Sequence, residues 1–315
     1  MDGSPEKSAP SERRRRTSSF LRSAVGRARR VVRKVRSLFA RDIELPGPRR
    51  LAYLNRLSRG RLSGGPGPVV SLTTYGPRTR MSFLAIESIA RGSLTPSRTI
   101  LWLDEPEAFH SLPRSLRRLQ RRGLEVRLTE NFGPHTKYFP FIEETAEFTG
   151  PLVTADDDTI YPRSWLERLV AENRKTPEHI VCYRARRVQI HGGAFTAYAT
   201  WELSESAEPS YLNMFTAVSG IIHPVKILEA LRERGRTFLD CTPSNDDVWI
   251  HNTAVRTGTR VRVIDGESRT FPLIDGTQDD ALWFTNLSEG RNDAQIAATF
   301  SPQDLERLSA DTLSG

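Results

Sequence analysis

The chain has 315 residues, of which 37% are hydrophobic and 27% charged. This suits a soluble globular protein with a polar extra segment. No run of 18 or more uncharged apolar residues reads as a membrane-spanning helix, and the Arg-dense N-terminus lacks the apolar core of a secretory signal. The net charge of +8 is concentrated at one end: residues 1–50 hold 15 Lys+Arg against 5 Asp+Glu. The remainder is slightly acidic, which argues against a nucleic-acid-binding core.

Residues 1–18, rich in Ser, Pro, Arg and Glu, are predicted to be disordered. Residues 19–40 are predicted to form a basic amphipathic helix. Phe20, Leu21, Ala24, Val25, Ala28, Val31, Val32, Val35, Leu38 and Phe39 recur every three or four positions, with Arg and Lys in the gaps. Such a helix can lie on an anionic membrane surface, or it can pack on the domain with a solvated basic face. Residues 41–67 read as a linker, because the stretch from Arg59 to Pro68 is too rich in Gly, Pro and Ser for regular structure.

A catalytic domain is expected over residues 68–300. Strands are predicted at Val69–Thr73, Thr99–Leu103, Leu124–Leu128 and Leu152–Ala155, with helices at Arg80–Ala90 and Leu112–Arg122 between them. The alternation predicts an α/β fold with a mostly parallel central sheet flanked by helices. A helix at Ser164–Asn173 and strands at Ile180–Tyr183 and Arg187–Ile190 follow, then a mixed region. The chain is loop-rich from Leu273, and a tail of residues 301–315 carries one short helix at Pro302–Leu308. The two cysteines, Cys182 and Cys241, favour reduced, buried thiols and a cytoplasmic location.

Asp156, Asp157 and Asp158 follow the fourth predicted strand directly. Ligands of open α/β sheets bind beyond the carboxyl ends of the strands. Three adjacent carboxylates repel one another unless a cation offsets them. Hard oxygen donors suit Mg²⁺ or Mn²⁺ completed by phosphate oxygens. The alternative is a solvated acidic turn. Lys137, after the Gly133-Pro134 break, is a point charge for phosphate or a surface-loop residue. Asp246 and Asp247 sit where Ser244 or Asn245 can cap a helix. The helix dipole alone accounts for acids there, and a general base accounts for them equally well. Gly220 allows close approach of a ligand backbone, or a tight bend.

Together, Val69-Val-Ser-Leu-Thr-Thr-Tyr-Gly-Pro-Arg78, Gly133-Pro-His-Thr-Lys137, Asp156-Asp-Asp-Thr-Ile-Tyr-Pro162, Ser219-Gly-Ile-Ile-His-Pro224 and Asn245-Asp-Asp-Val-Trp249 resemble bacterial family 2-like glycosyltransferases with a GT-A fold, of the surface-polysaccharide type. The resemblance covers roughly residues 68 to 300, including Asn292-Asp293, and not the tail. It implies a GT-A-like nucleotide-diphospho-sugar transferase fold and a metal-dependent inverting transfer of sugar to a glycan or lipid-linked acceptor. It further implies that Thr73, Tyr75 and Arg78 line the nucleoside, that Lys137 faces the diphosphate, and that Asp156 is shared between donor and metal. Asp158 becomes the metal ligand for Mn²⁺ or Mg²⁺, Asp247 the base, and Asp246 the residue orienting the acceptor. His223 stands where relatives commonly carry Tyr, and is either a further metal ligand or a substituted loop residue.

Two rival readings remain at this level. Asp156-Asp-Asp-Thr159 superficially matches an aspartate-nucleophile Mg²⁺-dependent phosphatase, and a non-catalytic sugar-binding protein would carry the same motifs. For the tail, deleting residues 1–45 is expected to release the protein from anionic vesicles in co-sedimentation. Undiminished vesicle binding would rule out the membrane-surface reading.

Overall fold

Seven strands form the central sheet of the computed structural model, which describes residues 45–277 and 290–312. The predicted disorder at 1–18 and the amphipathic helix at 19–40 lie outside the described residues. In chain order the strands are β1 (Val69–Thr73), β2 (Thr99–Leu103), β3 (Leu124–Leu128), β4 (Leu152–Thr154), β5 (Ile180–Cys182), β6 (Ala185–Arg187), β7 (Ile190–His191), β8 (Ala194–Phe195), β9 (Asn213–Phe215), β10 (Ile221–His223) and β11 (Val261–Val263). The large sheet has the order β11-β5-β10-β4-β1-β2-β3. All its pairings are parallel except those of β10 with β4 and β5. The mostly parallel α/β architecture is thus as expected.

The sheet is buried on both faces, which explains uninterrupted apolar runs such as Thr-Ile-Leu-Trp-Leu in β2, buried at all five positions. Ile100, Trp102, Leu152, Ile180 and Ile221 pack into one core with Ile142, Ile227, Leu231 and Trp249 from three helices. Their strand neighbours Leu101, Leu103, Val153, Val181 and Ile222 point the opposite way, by the two-residue period of a strand, and are equally buried. The helix Trp165–Lys175 packs against β5 and β10, and the helix Arg114–Gln120 against β3. Among the described residues no helix is long and apolar enough to cross a membrane.

Several boundaries differ from the sequence expectation. The segment read as a linker contains the helix Pro48–Leu57, and the compact unit begins at Leu45. That helix has a sparse apolar stripe, and it is held because Leu51 is inserted beside Leu84 and Ala85. Asn55 also donates to buried Glu87 at 3.0 Å, whose carboxylate pairs with Arg122 at 2.5 Å. The predicted helix at Arg80–Ala90 divides into a 3-10 turn at Gly76–Arg80 and a helix at Phe83–Ala90. The predicted helix Leu112–Arg122 is shorter, Arg114–Gln120, because Pro113 occupies its N-cap. The strand expected at Arg187–Ile190 is replaced by β6 and β7, which pair with different partners. The short helix expected at Pro302–Leu308 is present and runs on to Thr312. The helix Pro302–Thr312 buries Leu308 in a second core and pairs Asp304 with Arg256 at 2.8 Å. Both cysteines are free thiols, Cys182 buried and Cys241 half-buried.

Candidate active site

The chain winds outward from β1 through β2 to β3, then returns to place β4 on the other side of β1. The carboxyl ends of β1 and β4 flank this switch point, where open α/β sheets take ligands. Their pairing extends one residue past β4, the Ala155 N–H donating to Ser71 O at 3.1 Å. Thr74 and Asp157 then emerge side by side. Thr74 Oγ1 donates to Asp157 Oδ2 at 2.5 Å. Arg78 Nη2 bridges Asp157 Oδ1 at 2.5 Å and Asp158 Oδ2 at 2.7 Å, with its guanidinium carbon 5.4 Å from the centre of the Tyr75 ring. The far side of the aspartate run is clamped as well: Tyr161 Oη accepts the Asp156 N–H at 2.7 Å, and the Ile274 N–H donates to Asp158 O at 2.6 Å.

Lys137 joins this run to the second acidic pair. Its ammonium lies 3.3 Å from Asp156 Oδ1 and 3.2 Å from Asp246 Oδ2. The turn that carries it is fixed by buried His135. Nε2 meets the Thr242 carbonyl at 2.7 Å and Nδ1 meets the Tyr138 hydroxyl at 2.8 Å. A carbonyl only accepts, so Nε2 carries the proton and Nδ1 accepts from the phenol. Burial lowers the His135 pKa to about 4, which keeps the ring neutral. Burial also works against the charge on Lys137, but Asp246 and Asp156 outweigh it and raise its pKa.

Asp246 and Asp247 open the helix Asp246–Thr257. Asn245 caps it, accepting the Val248 N–H at 3.1 Å, and left-handed Gly258 ends it. Asn245 Nδ2 in turn donates to Asn292 Oδ1 at 2.7 Å. Asp293 Oδ1 accepts the Tyr198 N–H at 2.7 Å, so Asn292-Asp293 serves the site as support. Asp247 Oδ1 accepts the Ala217 N–H at 2.9 Å. Burial, then the Asp246 charge, raises the Asp247 pKa well above the carboxylate range. Burial likewise pushes Asp156 up to about 6 and Asp157 up to about 7, against the pull of Lys137 and Arg78 respectively.

The structure brings Arg78, Lys137, Asp156, Asp157, Asp158, Asp246 and Asp247 into one connected cluster, with Tyr75 at its edge through Arg78. Thr73 instead donates to the Trp102 carbonyl at 3.3 Å, across to β2. His223 lies back along the sheet, opposite Leu152, with Nε2 3.0 Å from Thr154 Oγ1. At Gly220 a side chain of this chain makes a close approach. With φ +96° the glycine lets the Trp165 indole approach so closely that a Cβ would sit 2.6 Å from a ring carbon. Thr74, Tyr161 and Ala217 were not expected in the site. The two-residue strand alternation signalled Thr74, since it places Thr74 and Thr73 on opposite faces; for Tyr161 and Ala217 the sequence holds no such signal.

Among the described residues no three or more His, Cys, Asp or Glu side chains converge as a metal cage. Mg²⁺ and Mn²⁺ do not require one, since one or two carboxylates plus ligand phosphates suffice. The five acids outnumber Arg78 and Lys137, and burial first, then repulsion between neighbouring carboxylates, raises the pKa values of Asp156, Asp157 and Asp247. The donor set therefore fits a divalent cation completed by oxygens from a diphosphate.

No protein-family model and no curated protein matches the chain. Among solved structures, residues 1–349 of S. aureus TarS in complex with UDP-GlcNAc are similar at 12% identity, over 78% of this chain and 71% of that one, with a TM-score of 0.48. The 4-diphosphocytidyl-2C-methyl-D-erythritol synthase from Anaerococcus prevotii is similar at 14% identity, over 71% of this chain and 96% of its own, with a TM-score of 0.44. CMP:2-keto-3-deoxy-manno-octonic acid synthetase complexed with CTP is similar at 11% identity, over 72% and 99%, with a TM-score of 0.42.

The raised acids have a consequence for stability. Asp157 keeps its proton in the folded chain up to about pH 7, whereas an unfolded Asp releases it near pH 4 (about 3.9). Between those values the unfolded state loses protons that the folded state holds, so this group makes stability fall as pH rises. The buried rings of His135, His223 and His251, with pKa values lowered to about 4, 3 and 4, act in the opposite sense up to about pH 6.5. The difference between the wild type and Asp157→Asn isolates the carboxyl. In urea unfolding with EDTA, the variant is expected to gain on the wild type between pH 5 and pH 8. A difference that stays constant with pH would refute the shift.

Proposed function

We propose that the chain is a metal-dependent inverting glycosyltransferase that moves a sugar from a nucleotide-diphosphate donor to a hydroxyl of a glycan or lipid-linked acceptor. The observation that carries this reading is the Lys137 bridge. It joins the acids after β4 to acids 90 residues later in the chain. A phosphate-facing cation and a candidate base thereby belong to one site.

In this mechanism Tyr75 lies on the nucleoside side of the donor. Arg78 and Lys137, held in place by the aspartates, face the departing diphosphate and stabilise its growing charge. Asp158 and Asp156 would hold Mn²⁺ or Mg²⁺, which would supply Lewis-acid stabilisation of the same charge. Asp246 is committed to Lys137 and keeps that cation in register. Asp247 makes no ion-pair contact with Lys137, whose charge lowers its pKa, but burial and the Asp246 charge outweigh that and strengthen it as a base. The acceptor hydroxyl gives its proton to Asp247 while its oxygen bonds to the anomeric carbon. The bond from that carbon to the diphosphate oxygen breaks on the opposite face, so the carbon inverts. A second carboxylate acting on the sugar, as in glycoside hydrolysis, is not needed.

Nucleotide-sugars screened with Mn²⁺ are expected to include at least one that raises the unfolding temperature. Asp158→Ala should abolish metal-dependent binding of that donor's nucleoside diphosphate in calorimetry, and unchanged binding would sink the metal assignment. Asp247→Asn should bind donor normally and lose transfer by about 10²–10⁴-fold. Turnover at the wild-type rate would exclude Asp247 as base.

A further inference from the structure

Arg78, Arg98, Arg122 and Arg256 are each matched by a carboxylate. Arg184 and Arg186 make no such ion pair, although both are half-buried; Arg184 feels the charge of Asp247 without an ion-pair contact to it. Arg184 precedes β6, and its backbone carbonyl accepts the Thr216 N–H at 3.0 Å. Its Nη1 also donates to Thr216 Oγ1 at 2.6 Å. The next residue, Ala217, is the one whose N–H holds Asp247. Arg184 is therefore anchored one residue from the anchor of the base. Its Nε is buried and has no hydrogen-bond partner.

Arg186 lies two residues on, within β6. Its guanidinium carbon sits 5.2 Å from the centre of the Tyr198 ring, and its Nη1 donates to the Trp201 carbonyl at 2.5 Å. Tyr198 is itself pinned by Asp293. Arg187, on the opposite face, is used differently: it bonds Ser210 and Asn213 and serves packing. Two half-buried guanidinium groups that repel each other with no carboxylate in contact are costly. Burial, then the charge of Arg186, lowers the Arg184 pKa. An oxyanion relieves that cost, and the planar guanidinium fork matches its geometry.

We propose that Arg184 and Arg186 form an oxyanion subsite for the acceptor, which brings a hydroxyl to Asp247 and a phosphate or carboxylate to the two guanidinium groups. The assignment of this ligand as the acceptor rests on the transferase reading above; the oxyanion site itself does not.

The full chain is titrated with glycerol 3-phosphate, glycerate and glycerol, following thermal stabilisation and calorimetric affinity. At least one of the two anions is expected to bind, and the tighter one names the oxyanion; glycerol is expected not to. Arg184→Gln and Arg186→Gln should each weaken that anion by about 10- to 100-fold, with unchanged unfolding midpoints in its absence. Arg184→Lys should restore part of the loss. Lys137→Gln separates this site from the diphosphate side. Anion binding that survives Lys137→Gln supports the proposal. Binding lost in Lys137→Gln but retained in both arginine variants overturns it, as does equal binding of glycerol. If no nucleotide-sugar stabilises the protein while arginine-dependent anion binding persists, the transferase reading falls and the oxyanion site stands.

Discussion

The buried ammonium of Lys137 is the contact on which the site depends. It lies between Asp156, which ends one strand, and Asp246, which begins one helix. Without a cation there, the two acidic groups would repel across the cleft that separates their elements. Removing one partner of a buried ion group typically costs about 3–5 kcal/mol, because the remaining charge is left uncompensated. The supports of Lys137 are correspondingly stiff. His135 is held at both ring nitrogens and stacks on Phe238 with centroids 4.1 Å apart.

Around that contact the molecule gathers more negative charge than it neutralises. Arg78 serves two of the aspartates and Lys137 serves a third together with Asp246, while Asp247 relies on a backbone N–H. Such a cluster is expensive to fold, because burial and like charge both disfavour its ionised carboxylates. The parallel sheet makes the arrangement possible. Parallel strands deliver their carboxyl ends to the same edge, so residues after β1 and β4 meet without any local sequence relation. The capped helix Asp246–Thr257 then supplies the remaining acids, with its dipole favouring them.

Beyond Asp247 the sign of the charge reverses. Arg184 and Arg186 stand on the small β6–β9 sheet rather than on the central one. Acids and arginines are therefore presented by separate structural layers that meet at Thr216 and Ala217. A substrate with its reacting hydroxyl between them would meet a base on one side and cations on the other.

The sequence by itself determined the strands β1 to β5 and the helix capped by Asn245. Buried parallel strands are read from apolar runs such as that of β2, and the aspartate run was legible because three carboxylates after an apolar strand demand compensation. Asn245 as a cap was legible for the same local reason. What it did not determine were features whose cause lies far away in the chain. The helix Pro48–Leu57 forms because Leu51 and Asn55 find partners at Leu84 and Glu87. Gly220 is required by Trp165, and Arg78 turns to Asp157 and Asp158 because the β1–β4 pairing brings them within reach. Local propensity and capping act over a few residues and are written in order along the chain. Which cation meets which carboxylate is set by sheet order and register, and those are decided only when the tertiary structure closes.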